Sequence, residues 1–134
     1  MVKEKVEVKE VSEREIWVGE NRLYLGEDNI IYFTAVGDHT EKMAIKISEA
    51  IMKLGDMGEG KISVLIDLNK AGKPSSEARK IFREGAKHEK AGKTALFGLH
   101  PVAMVLASFF IGLSKEKDMR FFKTKEEALK WLKE

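Results

Sequence analysis

The chain contains no cysteine, so disulfide bonds and thiolate metal ligands are excluded. It has 3 histidines, His39, His88 and His100, far apart in sequence. None of them forms a ligand-spaced pair, and no metal or cofactor is expected. The 2 prolines are Pro74 and Pro101, and no low-complexity or linker segment is present. An excess of one charge is also missing. The 24 Lys and Arg face 22 Asp and Glu, both signs are interspersed, and the net charge is +2. Nucleic acid needs a clustered basic face and is not expected as a partner. The first twelve residues, Met1 to Ser12, alternate Val with Lys and Glu and lack the apolar run of a secretory signal. Residues 1–13 are expected to form a charged leader or a short edge strand through Val6 and Val8. With these absences, a cytoplasmic protein is expected, with peripheral attachment to a membrane as the alternative.

At 134 residues the chain is sized for one domain, expected over 14–134. Such a chain buries roughly two-thirds of its unfolded surface, enough for a core without staples.

Against a background of 34% charged residues, Pro101 to Leu113 carries no charge. An all-apolar helix is covered on every face or meets a partner, a ligand or a lipid. The uncharged stretch begins earlier, at Thr94, and reaches the length of a membrane span. Gly98 and His100-Pro101 interrupt it, and Pro suits the first turn of a helix. The sequence therefore predicts a short buried strand over Thr94–Leu99 and then a helix over Pro101–Leu113.

Alternation predicts a β meander from Arg14 to Val36, with Ile16, Val18, Leu23, Leu25, Ile31, Phe33 and Ala35 inward. Asn21 and Glu27-Asp28-Asn29 supply the turn signals. A helix opens near Asp38, with Asp38 and Glu41 as a capping box and Thr40 as the competing cap. Its stripe is Met43, Ala44, Ile47, Ala50, Ile51 and Leu54, and Gly55 and Gly58 end it. Ile62–Ile66 reads as a strand covered on both faces, followed by a loop from Asn69 to Pro74. Ser75 or Ser76 starts a helix with the stripe Ala78, Ile81, Phe82 and Ala86, ending at Gly92. Met119–Phe122 is a strand, and Thr124 caps a last helix packed through Ala128, Leu129, Trp131 and Leu132. Strands alternating with helices imply right-handed crossovers in a partly parallel sheet.

Four features resemble the STAS fold, and more closely its SpoIIAA-like group, related to the Sec14-like lipid-binding fold. They are Gly37-Asp38-His39-Thr40 at a strand end, Val64-Leu65-Ile66-Asp67, Ala95-Leu96-Phe97 leading into the Pro101 helix, and Arg120-Phe121-Phe122 before Glu126 to Leu132. The resemblance covers about Glu15 to Leu132. It implies an α/β fold, a mixed sheet with about four helices, mostly on one side. In the anti-sigma-factor-antagonist branch, a Ser at the start of the second helix is phosphorylated, which breaks a protein contact. Ser75 and Ser76 occupy that region. The branch writes Asp-Ser-Ser or Asp-Ser-Thr and then Gly, where this chain has Lys73-Pro74-Ser75-Ser76-Glu77.

No nucleophile–base pair or matched acids appear, so an enzyme is not expected. Gly72-Lys73-Pro74-Ser75 lacks the spacing of a phosphate loop. The expected function is binding of a hydrophobic small molecule, a lipid or a membrane surface. Val102, Met104, Val105, Leu106, Phe109, Phe110 and Leu113 would carry it. Asp67 and His100 lie at strand ends, where α/β folds bind ligands. Their simpler roles are holding the next loop and capping the next helix. His39 is expected at a solvated helix start and His88 on an exposed helix face. The alternative function is a protein-interaction module switched at Ser75 or Ser76, whose simpler role is helix capping. A homodimer is a further partner compatible with the uncharged helix.

Overall fold

The computed structural model describes residues 5–100 and 118–134. Seven strands form one mixed sheet whose spatial order is the chain order. They are β1 (Val8–Ser12), β2 (Glu15–Val18), β3 (Asn21–Leu25), β4 (Ile30–His39), β5 (Ile62–Pro74), β6 (Ala91–Phe97) and β7 (Met119–Phe122). β1 to β4 are antiparallel, and β4 to β7 run parallel. Three helices are described: α1 (Glu41–Met57) joins β4 to β5, α2 (Ser76–Ala86) joins β5 to β6, and α3 (Lys125–Leu132) follows β7. The chain is thus α/β, as its alternation predicts. The helix expected over Pro101–Leu113 lies outside the described residues.

The period-2 pattern places the core. Ile16, Val18, Leu23, Leu25, Ile31, Phe33 and Ala35 are all buried on one face of the meander. α1 lays Ala44, Ile47, Ala50 and Leu54 on that face, and Phe82 of α2 joins the same cluster. Ile47 and Leu54 are fully buried, each contributing about 1.5–3 kcal/mol of transfer free energy. The opposite face buries Ile30, Leu65, Ala95 and Phe97 beneath Ala128 and Leu132 of α3. Helices therefore cover both faces, α1 and α2 on one and α3 on the other, with α3 reaching only the β4–β7 part of the sheet.

The β2–β3 hairpin turns through Gly19 at φ 58 and Glu20. A positive φ at the first central residue is the signature of the tight turn that matches strand twist, and glycine takes it without strain. The Arg14 guanidinium closes the next hairpin by donating to Leu25 O at 3.1 Å and Gly26 O at 2.8 Å.

Four boundaries differ from the sequence reading, the first being the strand expected over Thr94–Leu99, which spans Ala91–Phe97. β5 continues through Asn69–Pro74, which reads as a loop in sequence, because β4 also runs on to His39 and pairs with it. The cap of α1 is Thr40, whose hydroxyl accepts from Met43 N at 3.2 Å, while Asp38 stays in the strand. Gly92 does not end α2; the helix stops at Ala86, and Gly92 lies inside β6, which begins at Ala91. Among the described residues, no helix is long and apolar enough to cross a membrane.

Candidate functional site

Two places gather polar groups. The first is the C-terminal end of β4, near which the described crossover helices α1 and α2 begin. Thr40 caps α1 and Ser75 caps α2, the Ser75 hydroxyl accepting from Ala78 N at 3.0 Å. Ser75 N donates to His39 O at 2.9 Å, tying the start of α2 to the end of β4. The tail of β5 delivers Ser75 there. Asp38 accepts from Lys73 N at 2.7 Å, and Gly72 lies so close to Asp38 and Gly37 that no side chain fits. Ser76 is exposed, and its hydroxyl donates to Glu77 at 3.4 Å. Two helix N-termini side by side add their positive dipole ends.

His39 lies beneath this end and is buried, not solvated as its polar neighbours Asp38 and Thr40 suggest. Its ring meets Phe82 edge-on at 5.9 Å between centroids and Phe33 at 6.2 Å. Its Nε2 stands 3.0 Å from the Oδ1 of Asn21. Asn21 is also fully buried. Its Oδ1 accepts from Val36 N at 2.7 Å, and its Nδ2 donates to Val18 O at 2.9 Å. Burial pushes the His39 imidazole below its ordinary value, with the Asp38 charge opposing in smaller measure. The ring is therefore held neutral and donates from Nε2 to Asn21. His88, in the turn after α2, accepts from Lys90 N through Nδ1.

The second place is a fork in the sheet at Asp67. This residue pairs with Thr34 on β4 and Phe97 on β6. Beyond it β5 follows β4 alone, and β6 leaves at Gly98, whose φ is 95. Asp67 accepts from Asn69 N at 2.9 Å and from Asn69 Nδ2 at 2.8 Å. It thus does hold the following backbone.

The α3 face of the fork carries a depression of about 170 Å³. Pair registry sets its lining. Arg22, Thr34, Asp67 and Phe97 stand in one row across β3 to β6, and Tyr24, Tyr32 and Leu65 form the next row. Lys125, at the start of α3, closes one side. Tyr24 and Tyr32 stack with centroids 4.9 Å apart, and the Arg22 guanidinium lies 4.4 Å over Tyr24. Arg22 is held by Glu15, through Nε at 3.1 Å and Nη2 at 3.0 Å, and Trp17 Nε1 donates to the same carboxylate at 2.8 Å. These bonds, that from Arg22 foremost, hold the Glu15 carboxyl below its usual range. Burial, reinforced by the Asp28 carboxylate that accepts from its hydroxyl, pushes the Tyr32 phenol far up.

The structure therefore ties Ser75 to the His39 backbone, with the exposed Ser76 one residue on, and gathers Asp67 with Arg22, Thr34 and Lys125. His100 is exposed, past the end of β6. Val102, Met104, Val105, Leu106, Phe109, Phe110 and Leu113 lie outside the described residues. Arg22, Tyr24, Tyr32 and Lys125 escape the sequence reading, which followed only the apolar positions of each strand. The alternate positions of the same strands carry the signal. Among the described residues, no group of three His, Cys, Asp or Glu is placed to hold a metal.

The family model described as Domain of unknown function (DUF7793) matches residues 24–134. The chain belongs to that family. The match begins inside β3 and takes in both polar places except Arg22 and the first part of the meander. No curated protein matches the chain. Among solved structures, the chain is similar to an uncharacterized protein of the DUF3478 family from Shewanella loihica PV-4, described as having a SpoIIAA-like fold. The TM-score is 0.62 and the identity 19%, covering 98% of each chain. It is also similar to the unphosphorylated anti-sigma factor antagonist SpoIIAA, with a TM-score of 0.55 and 16% identity over 84% of this chain and 97% of that one. The phosphorylated form of SpoIIAA, the Bacillus cell fate determinant, gives 0.54 and 14% over 96% and 99%. The fold of this DUF7793 member is SpoIIAA-like, the STAS fold that its sequence resembles.

Proposed function

We propose that this DUF7793 member is a non-enzymatic binding module that contacts another protein through the shared start of α1 and α2, controlled by phosphorylation of Ser76. The observation that carries this reading is the division of labour between adjacent serines. Ser75 spends its hydroxyl on the cap of α2, while Ser76 presents its hydroxyl to solvent one residue on. A phosphate on Ser76 adds about 1.5 to 2 negative charges at a helix N-terminus, where the dipole favours it. It therefore changes the surface without opening the fold. The two SpoIIAA structures, of a phosphorylated and an unphosphorylated form, support the reading by analogy of fold.

Intact-mass measurement on protein from its native cells is expected to show one added phosphate that Ser76→Ala abolishes and Ser75→Ala retains. Ser75→Ala instead lowers stability by about 1 kcal/mol through the lost cap. Unmodified protein in every growth state would overturn the switch.

A second reading rests on the uncharged run Pro101–Leu113, which follows the C-terminal end of β6, where α/β folds bind ligands. On this reading Val102, Met104, Val105, Leu106, Phe109, Phe110 and Leu113 supply the contact to a lipid, an apolar molecule or a second copy of the chain. Lipid extraction with mass spectrometry, together with liposome sedimentation, tests it. Lipid-free protein that stays in the supernatant counts against the lipid and membrane forms.

A further inference from the structure

We propose that the depression at the Asp67 fork binds a small zwitterion of α-amino-acid size. The argument starts from registry. Arg22, Thr34 and Asp67 are directly paired across β3, β4 and β5. Neighbouring strands lie about 4.8 Å apart, so the Arg22 and Asp67 backbones stand about 10 Å apart with the Thr34 hydroxyl between them. Among the described residues the two charges do not pair with each other. Arg22 is bound to Glu15 through Nε and Nη2, and Asp67 gives one oxygen to Asn69. Each keeps capacity. Arg22 has further N–H donors in its fork, and Asp67 has its second oxygen. Lys125 adds an exposed ammonium, 5.9 Å from the centre of the Tyr32 ring.

Beneath these charges lie apolar side chains, while the surface that the depression exposes is mainly polar. Leu65 is 2% exposed and Phe97 8%, with the Tyr32 ring beside them. The depression's volume of about 170 Å³ lies below the roughly 300–1,000 Å³ of drug-sized sites, which selects a small occupant. Charge then selects the class. A lone carboxylate would meet the Asp67 carboxylate, and a lone ammonium would meet Arg22 and Lys125. A molecule bearing both satisfies both ends. Its carboxylate takes N–H groups of Arg22 and Lys125, its ammonium takes the second oxygen of Asp67, and its side chain lies on Leu65 and Phe97. Such charge-assisted bonds are the strong kind.

The test is a titration of the full ¹⁵N-labelled chain with each common α-amino acid, followed by amide shifts. Acetate and methylammonium serve as single-charge probes. The expected result is a saturable shift at Thr34, Asp67 and Phe97 with at least one amino acid and with neither probe. Asp67→Asn keeps an oxygen for Asn69 but removes the charge, and it should weaken binding about tenfold or more. Lys125→Gln, on an exposed helix start, should weaken it too. Ser76→Ala should leave it unchanged, which keeps this site separate from the phosphorylation reading. The proposal is overturned if no amino acid gives a saturable shift or if acetate alone reproduces it. It is equally overturned if both charge variants bind as the parent does.

Discussion

Replacing Asn21 by Ala removes a junction of three strands, β2, β3 and β4. The side chain holds Val18 O, Val36 N and His39 Nε2 at 2.9, 2.7 and 3.0 Å, and it is 0% exposed. Each bond is worth only about 1 kcal/mol net, but each abandoned buried partner costs about 1–3 kcal/mol in desolvation. Val36 N and His39 Nε2 lose their acceptor altogether, since Ala offers none. Val18 O loses a donor. Allowing for water entering the space, the three losses sum to about 4 kcal/mol. That is a large fraction of the roughly 5–15 kcal/mol of a typical domain. With a urea slope of about 2 kcal/mol/M, the midpoint should fall by about 2 M with the slope unchanged. Urea unfolding followed by tryptophan fluorescence reads this directly. A double-mutant cycle with His39→Phe should return a coupling of about 1 kcal/mol or more, because the two side chains share one bond. A loss under about 1 kcal/mol, or simple additivity with His39→Phe, would refute the view that Asn21 ties the meander to the helix-bearing end of β4.

Two further outcomes follow from the same region. Because burial holds the His39 pKa below the ordinary 6.5, the unfolded chain takes up a proton there before the native chain does. Stability from this group is intact at neutral pH and declines as pH falls below about 6.5. His39→Phe should flatten that part of the pH dependence of the urea midpoint, and an unchanged slope would exclude His39 as its source. Gly72→Ala places a methyl group against Asp38, with Asp38 N at 2.9 Å and Gly37 C at 3.0 Å from the new carbon. The β4–β5 tails must part, at a cost of about 1–3 kcal/mol. Thermal unfolding should show the loss, and a neutral result would mean that the tails are not packed as described.

Much of the architecture is legible in the chain because burial there is one-sided and repeats. Ile16, Val18, Leu23 and Leu25 alternate, and the α1 stripe from Ala44 to Leu54 recurs at helical spacing, so period alone fixes strand, helix and facing. The tail of β5 is different. Apart from the half-buried Ala71, Lys70 to Pro74 is exposed and rich in Gly, Lys and Pro, and its pairing with β4 is what makes it a strand. Side-chain pattern cannot announce a pairing made by main chain. His39 misleads for a related reason. Flanked by Asp38 and Thr40 it looks solvated, yet Phe82, far along the chain, covers it. Asn21 looks like a turn residue and is a buried junction. Ser75 as a cap is legible, since capping is local chemistry. The grouping of Arg22, Thr34 and Asp67 is not, because it depends on the registry of three strands.

The sheet order carries one more consequence. Since β1 to β7 lie side by side in the order of synthesis, each strand after the first finds a partner already made. The antiparallel part closes through short hairpins, whereas joining β5 to β4 brings Ser63 to Ile30 across the whole of α1. Closing that long loop carries an entropic cost that the hairpins avoid. During translation the meander can therefore assemble first and offer β4 as an open parallel edge. Each helix-and-strand unit is then added to that edge in turn, like courses laid on a finished footing.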